Sequence, residues 1–189
     1  MTIRSVSFVF PFVRFASAVG ATSALLGLLT LGCRVDVYHD PPHDPHGDRQ
    51  QHVVGGNYMV HPLSSQGLCW DVRGDKAAAN QEVWLYNCHG KENQRWAFSD
   101  KPNNSSSITG VGGLCLDVRG WQTAEGTPVN ISGCGADQAN QTFRHFENGQ
   151  LREVQSGKCV TVASLAEGQR LVLASCSEGN QGQVWSLTQ

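Results

Sequence analysis

A chain of 189 residues with a formal net charge of −2 has room for one modest domain, and it lacks the basic excess that draws nucleic acid or an anionic membrane surface. Charged residues make up only 16%, glycine is abundant at 21, and the apolar residues fall in short alternating runs. That texture suits many short strands joined by tight turns, so the expected class is all-β.

Residues 1–32 read as an export signal. Arg4 and Arg14 precede an uncharged apolar run from Phe15 to Leu31, and no acidic residue occurs before Asp36. The run is short for a membrane span, rich in Ala and Gly, and ends at Thr30-Leu31-Gly32-Cys33 without a basic stop-transfer flank. This terminus resembles a bacterial lipobox, in which a small residue precedes a cysteine that is lipidated and becomes the new first residue. Gly32 and Cys33 fit; Thr30 departs, where that family prefers Leu. The resemblance implies a membrane anchor through acylated Cys33, and Arg34 beside it resembles lipoproteins sent to the outer membrane of a Gram-negative cell. The expected location is an outer-membrane or cell-surface lipoprotein, or a secreted protein if cleavage is ordinary.

Residues 34–54 change texture. His39, His43, His46 and His52 alternate with Asp36, Asp40, Asp44 and Asp48 around Pro41, Pro42 and Pro45. Imidazole and carboxylate are both ligands for zinc or copper. The spacing is irregular and no Cys joins in, so the stretch reads as a polar, semi-rigid tether with at most adventitious metal affinity. No metal or cofactor site is assigned.

From residue 55 to 189 the text is written three times. Gly67-Leu68-Cys69-Trp70-Asp71-Val72-Arg73-Gly74 returns as Gly113-Leu114-Cys115-Leu116-Asp117-Val118-Arg119-Gly120 and, worn, as Gly157-Lys158-Cys159-Val160-Thr161-Val162. Each copy continues to a second cysteine (Cys88, Cys134, Cys176) and a Gln-x-aromatic (Gln94/Trp96, Gln141/Phe143, Gln183/Trp185). Cys69 and Cys115 stand 46 residues apart and Cys115 and Cys159 stand 44 apart, the period of a supersecondary unit. The repeats run about 55–99, 100–145 and 146–189. Four short strands are expected in each, near 57–61, 68–72, 82–87 and 94–98; then 106–109, 114–118, 127–132 and 141–146; then 150–154, 158–162, 170–174 and 183–187.

One such unit has a single apolar face, so three must pool their faces into one pseudo-threefold core. Leu68, Val72, Val83, Leu85 and Trp96 would meet Leu114, Val118, Val129, Ile131 and Phe143, and Val160, Val162, Leu171, Leu173 and Trp185. Six of the seven cysteines occupy like positions in the repeats, and Cys33 is the odd one. Pairing within repeats is expected, giving Cys69–Cys88, Cys115–Cys134 and Cys159–Cys176, and the sequence alone also leaves open pairing across them, Cys69 with Cys115 for example.

A threefold repeat of about 45 residues carrying Cys-x-Asp-Val, a second Cys and Gln-x-Trp resembles the ricin B-chain-like carbohydrate-binding modules, which fold as β-trefoils. The resemblance implies that Asp71 and Asn93 bind sugar hydroxyls, Tyr86 stacks on the pyranose and Gln94 supports them. Chemically this is apt: a carboxylate accepts from vicinal hydroxyls, an amide both donates and accepts, and a ring packs on the C–H face of the sugar. Trp84 lies on the same strand face as Tyr86 and would contact sugar or widen the platform, with Val83 and Leu85 turned the other way. The second repeat keeps Asp117, Asn130, Asn140 and Gln141 but has Ser132 in place of the ring, so Trp121 would have to substitute in a weaker second site. Thr161, Ala174 and Gly182 make the third copy silent.

The expected partner is therefore a galactose-type or xylan-type glycan. An enzyme is not expected: no nucleophile motif, phosphate-cradling loop or zinc helix is written, and Asp71 and Asp117 fall in separate repeats, too far apart for a glycosidase pair. The rival is a β-trefoil that binds or inhibits a protein, since this fold carries several functions.

Overall fold

A computed structural model describes residues 49–189; the export signal, Cys33 and residues 34–48 of the tether lie outside them. Thirteen strands follow in order: β1 (Gln50–Gln51), β2 (Gly55–Pro62), β3 (Leu68–Val72), β4 (Gln81–Asn87), β5 (Trp96–Lys101), β6 (Ser105–Thr109), β7 (Cys115–Val118), β8 (Val129–Ser132), β9 (Phe143–Phe146), β10 (Leu151–Glu153), β11 (Cys159–Thr161), β12 (Val172–Ala174) and β13 (Trp185–Thr188).

Six of them make a closed antiparallel ring. β2 pairs with β5 and β13, β6 joins β5 to β9, β10 follows β9, and a bridge between Gln150 and Val184 brings the start of β10 against that of β13. The remaining pairs are hairpins, β3–β4, β7–β8 and β11–β12. Pairing of Gln81 with Ile131 and Glu82 with Asn130 joins the first two hairpins, and the bridges Trp84–Arg170 and Pro128–Val172 tie both to the third. A six-stranded barrel capped by three hairpins is the β-trefoil, with lobes β2–β5, β6–β9 and β10–β13. β1 stands outside this scheme: Gln50 and Gln51 pair with Phe146 and His145, so the end of the stretch read as a tether supplies one extra strand.

The glutamines of the Gln-x-aromatic elements lie in short 3-10 turns, Glu92–Gln94, Ala139–Gln141 and Gln181–Gln183, and not in the fourth strand of each repeat. In a strand Gln94 and Trp96 would face one way. The turn instead lets the amide reach back to the hairpin while the ring enters the barrel.

The expected core residues are buried except Leu114, which packs against the core from a partly exposed position. Its centre is Trp70, absent from the expected set, fully buried and edge-on to Trp96 at 6.0 Å and Trp185 at 5.0 Å. Equivalent indole N–H groups bond back to the strand after each first cysteine: Trp96 Nε1 to the Trp70 carbonyl at 3.3 Å and Trp185 Nε1 to that of Val160 at 3.1 Å. Gly110 is required here, because a Cβ at that point would lie 2.7 Å from the Trp96 ring.

Each lobe is closed by its own disulfide, Cys69–Cys88, Cys115–Cys134 and Cys159–Cys176, all with Cα separations of 5.1 Å. Cross-lobe pairing is thereby excluded. Loops of 19, 19 and 17 residues closed this way are each worth about 3 kcal/mol in the chain-entropy account.

Two buried groups make the fold testable. The Glu153 carboxylate, 1% exposed, accepts from the Gln155 and Ser156 backbone N–H groups at 2.7 Å each and from the Ser156 hydroxyl, and so holds the β10–β11 turn. Glu153→Gln replaces one acceptor by a donor facing donors, and should cost about 1–3 kcal/mol in chemical denaturation; an unchanged midpoint would show that the turn does not depend on it. Both ring nitrogens of His145 are buried without a hydrogen bond of ordinary geometry, and desolvation holds its pKa below the usual value, offset in part by the nearby Trp185 backbone. Burial lowers His61 likewise, against the Leu68 and Gln66 backbone bonds. The unfolded chain then binds the proton first as pH falls below about 6.5, so stability falls with it. Melting temperature should drop between about pH 7 and about pH 5, and drop less in His145→Leu; equal slopes would refute this.

Candidate functional site

Asp71 sits in β3 directly across from Trp84 in β4. Alternation along β4 sends Val83 and Leu85 into the core and leaves Trp84 and Tyr86 together on the outer face, partly exposed, as the sequence led us to expect. Their rings stack at 5.5 Å with 18° between planes. The turn Glu92–Gln94 then brings Asn93 and Gln94 to the same carboxylate.

Asp71 is only 3% exposed, and four protein donors surround it. Oδ1 accepts from Trp84 Nε1 at 2.8 Å; Oδ2 accepts from Asn93 Nδ2 and Gln94 Nε2, both at 2.9 Å, and stands 3.3 Å from His89 Nε2. His89 Nδ1 accepts the Lys91 backbone N–H at 3.2 Å, which places the neutral ring's proton on Nε2, toward Asp71. Gln94 also bonds the Asn87 carbonyl and accepts from the His89 and Gly90 N–H groups, leaving its amide fully used. Asn93 differs: its Nδ2 is engaged and its Oδ1 has no partner. The five residues expected in the first site therefore come together around a shallow hollow of about 360 Å³, lined by Asp71, Trp84, Tyr86 and Asn93. Gln94 lies behind it as a support. His89, Arg73 and Asp75 also line the hollow and were not foreseen. The Arg73 guanidinium sits over the Trp84 ring at 5.0 Å.

The second lobe repeats half of this. Asn140 Nδ2 and Gln141 Nε2 donate to Asp117 Oδ2 at 2.9 and 2.8 Å, and Asn140 Oδ1 again has no partner. Burial pushes the Asp117 carboxyl above the usual range, with the Gln141 and Asn140 bonds opposing. Asn130 faces Asp117 across the hairpin but sends its Nδ2 to Asn80 at 3.3 Å. Trp121 is 49% exposed in a left-handed conformation (φ 59°), and the bond recorded for it runs through its backbone carbonyl to Gln155. Its ring is thus open to solvent in the loop after Asp117.

In the third lobe Gln183 Nε2 donates to the Thr161 hydroxyl at 2.9 Å in place of a carboxylate. Gly182 stands where Asn93 and Asn140 stand, its carbonyl bonded to the Val162 N–H at 2.9 Å. A Cβ at Gly182 would collide with the Val162 carbonyl oxygen, so the turn has closed onto the strand and leaves no place for an amide. His61, Cys69 and Cys88 form the one His/Cys/Asp/Glu group close enough for a metal among the described residues, and both its sulfurs are locked in a disulfide.

Comparison with known proteins agrees with this geometry. The family model "Ricin-type beta-trefoil lectin domain" matches residues 56–185. Nigrin b of Sambucus nigra is 33% identical over 78 residues, which is 41% of this chain and 13% of that protein. "Beta-galactoside-specific lectin 3" of Viscum album is 29% identical over 97 residues, 50% of this chain and 16% of that one. This chain thus spans a small part of the plant relatives. "Probable lipoprotein EnvE" of Salmonella typhimurium is 29% identical over 133 residues, covering 67% of this chain and 70% of EnvE. Among solved structures, the designed threefold-symmetric protein ThreeFoil superposes with a TM-score of 0.64 at 26% identity, over 70% of this chain and 97% of its own. A family match over more than half the chain, on a barrel with three capping hairpins and a repeated Asp-Asn-Gln cluster, places this protein in the ricin-type β-trefoil lectin family.

Proposed function

We propose that the protein is an exported, lipid-anchored carbohydrate-binding module that holds a galactose-type sugar at its first lobe, with xylan-type glycans as the second candidate. The observation that carries this reading is the convergence of Asp71, Asn93 and the Trp84–Tyr86 pair on one exposed hollow. The name of the Viscum album relative supports a β-galactoside.

Four donors already face the Asp71 carboxylate, about as many as its lone-pair sites. A sugar hydroxyl therefore enters by exchange. The longest contact is to His89, whose side chain is 30% exposed, and it is the one to give way. Tyr86 and Trp84 then cover the apolar face of the ring, and a second hydroxyl reaches the buried, unpartnered Asn93 Oδ1 only as the side chains around it shift on binding. Gln94 and Trp84 hold Asp71 in place before the sugar arrives, so little ordering is left to do on binding. With one well-formed site the affinity for a monosaccharide should be near millimolar, about 4 kcal/mol, and useful retention needs many copies on one surface. An acylated Cys33 would supply that density, and the name of EnvE is consistent with it.

Asp71→Ala should cut retention on immobilised galactose at least about tenfold, the loss of one charge-assisted pair or more. Because Asp71 is buried, Tyr86→Ala serves beside it as a partly exposed change that should weaken retention with little effect on melting temperature. Retention unaltered in both variants, or absent in the parent on galactose and xylan alike, would favour a protein-binding trefoil. For the anchor, Cys33→Ser should move the protein from the membrane fraction to the soluble fraction and abolish incorporation of labelled palmitate; an unmoved protein would sink the lipoprotein reading.

A further inference from the structure

A second hollow of about 410 Å³ adjoins the first and shares Arg73 and Gly74 with it; Lys76, Asn80, Gln81 and Glu82 complete its lining. Its charge is unevenly balanced. Glu82 is divided between two guanidinium groups, Oε2 at 3.0 Å from an Arg73 nitrogen and Oε1 at 3.2 Å from Arg170 Nε. Lys76 adds a third cation. Of the residues that line the second hollow itself, Arg73 and Lys76 stand against Glu82 alone, one net positive charge in a chain whose total is −2, while Asp71 and Asp75 lie on the side of the first hollow.

Arg73 is also fixed in place. Glu82 engages one end of its guanidinium, the Trp84 ring lies under it at 5.0 Å, and only one of its five donors is recorded as used. A planar fork ordered before the ligand arrives is the arrangement that takes a carboxylate or sulfate bidentately. The side-chain amides of Asn80 and Gln81 add groups suited to hydroxyls in the same hollow, their backbone N–H groups being bonded to Ile131 and Ala78. Arg73 and Gly74 form the boundary that the two hollows share, so Arg73 faces both.

We infer that the second hollow is a subsite for an anionic group, a carboxylate or a sulfate, borne by the sugar next to the one held at Asp71. The chain would then select acidic oligosaccharides over neutral ones of the same terminal sugar. This rests on the reading of the first hollow as a sugar site.

The test compares lactose with lactobionate and lactose 6-sulfate, which place a carboxylate or a sulfate on the residue beside galactose, by calorimetric titration of the full protein. At about 25 mM salt the acidic ligands should bind about three- to fivefold tighter than lactose, and the margin should shrink by about 300 mM. In Lys76→Ala the ratio should approach one, and in Lys76→Glu it should fall below one; because Lys76 is exposed, both variants should keep the parent's melting temperature. A preference for lactobionate alone assigns a carboxylate, for the sulfate alone a sulfate. Lactose binding with no preference, or a preference untouched by both Lys76 variants, overturns this subsite and leaves the first site standing. Absence of binding to all three ligands removes both.

Discussion

Three buried glutamine amides hold this molecule together. Gln94, Gln141 and Gln183 each donate to a carbonyl at the end of their own hairpin (Asn87, Gly133, Ser175) and accept a backbone N–H just beyond it (His89, Gly135, Ser177). Each has one donor left, and it points at the side chain of the Cys-x-Asp position: Asp71, Asp117 or Thr161. A buried amide is costly unless every group is met, so each glutamine fixes where its hairpin ends and where its barrel strand begins. In the first two lobes the same bond that secures the fold also orients the buried carboxylate of Asp71 or Asp117. In the first lobe that atom pair also backs the hollow that Asp71 lines with Trp84 and Tyr86.

That coupling explains how the three copies have diverged. As long as the glutamine finds an acceptor, the lobe survives; Thr161 suffices, and the third lobe is intact without any acid. The ring and the asparagine are under no such constraint. Ser132 replaces the ring in the second lobe, and Gly182 replaces the asparagine in the third, where backbone closes the space. A lobe can therefore lose its site without losing its fold, and the first is the one in which acid, amide and two aromatic rings coincide.

Much of this was legible in the sequence because it is periodic. The repeated cysteines and the alternation of Val83-Trp84-Leu85-Tyr86 each follow from a pattern with a fixed geometric meaning, whereas the association of Asp71 with Asn93 rests on the family resemblance. Features that depend on the loops between strands were not. His89 reaches Asp71 only because the chain bends back after Cys88, and the Arg73–Glu82–Arg170 group spans two lobes with nothing in the spacing to announce it. The left-handed backbone of Trp121 beside Gly120, which leaves the ring exposed, is likewise a property of the loop that spacing does not announce. Trp70 passed unremarked because it sits beside the motif residue Asp71, though it shares a strand face with Leu68 and Val72.

The pairing of β2 with β13 has a consequence for how the molecule comes into being. Met59, Val60, His61 and Pro62, near the start of the domain, find their partners in Thr188, Leu187, Ser186 and Trp185, within the last five residues of the chain. The last strand, β13, must therefore be made before the ring can shut, and contacts of such long sequence separation make for slow, late acquisition of the native state. Until β13 arrives, β2 is left with one open edge of unpaired backbone groups, the state most exposed to wrong pairing with another chain.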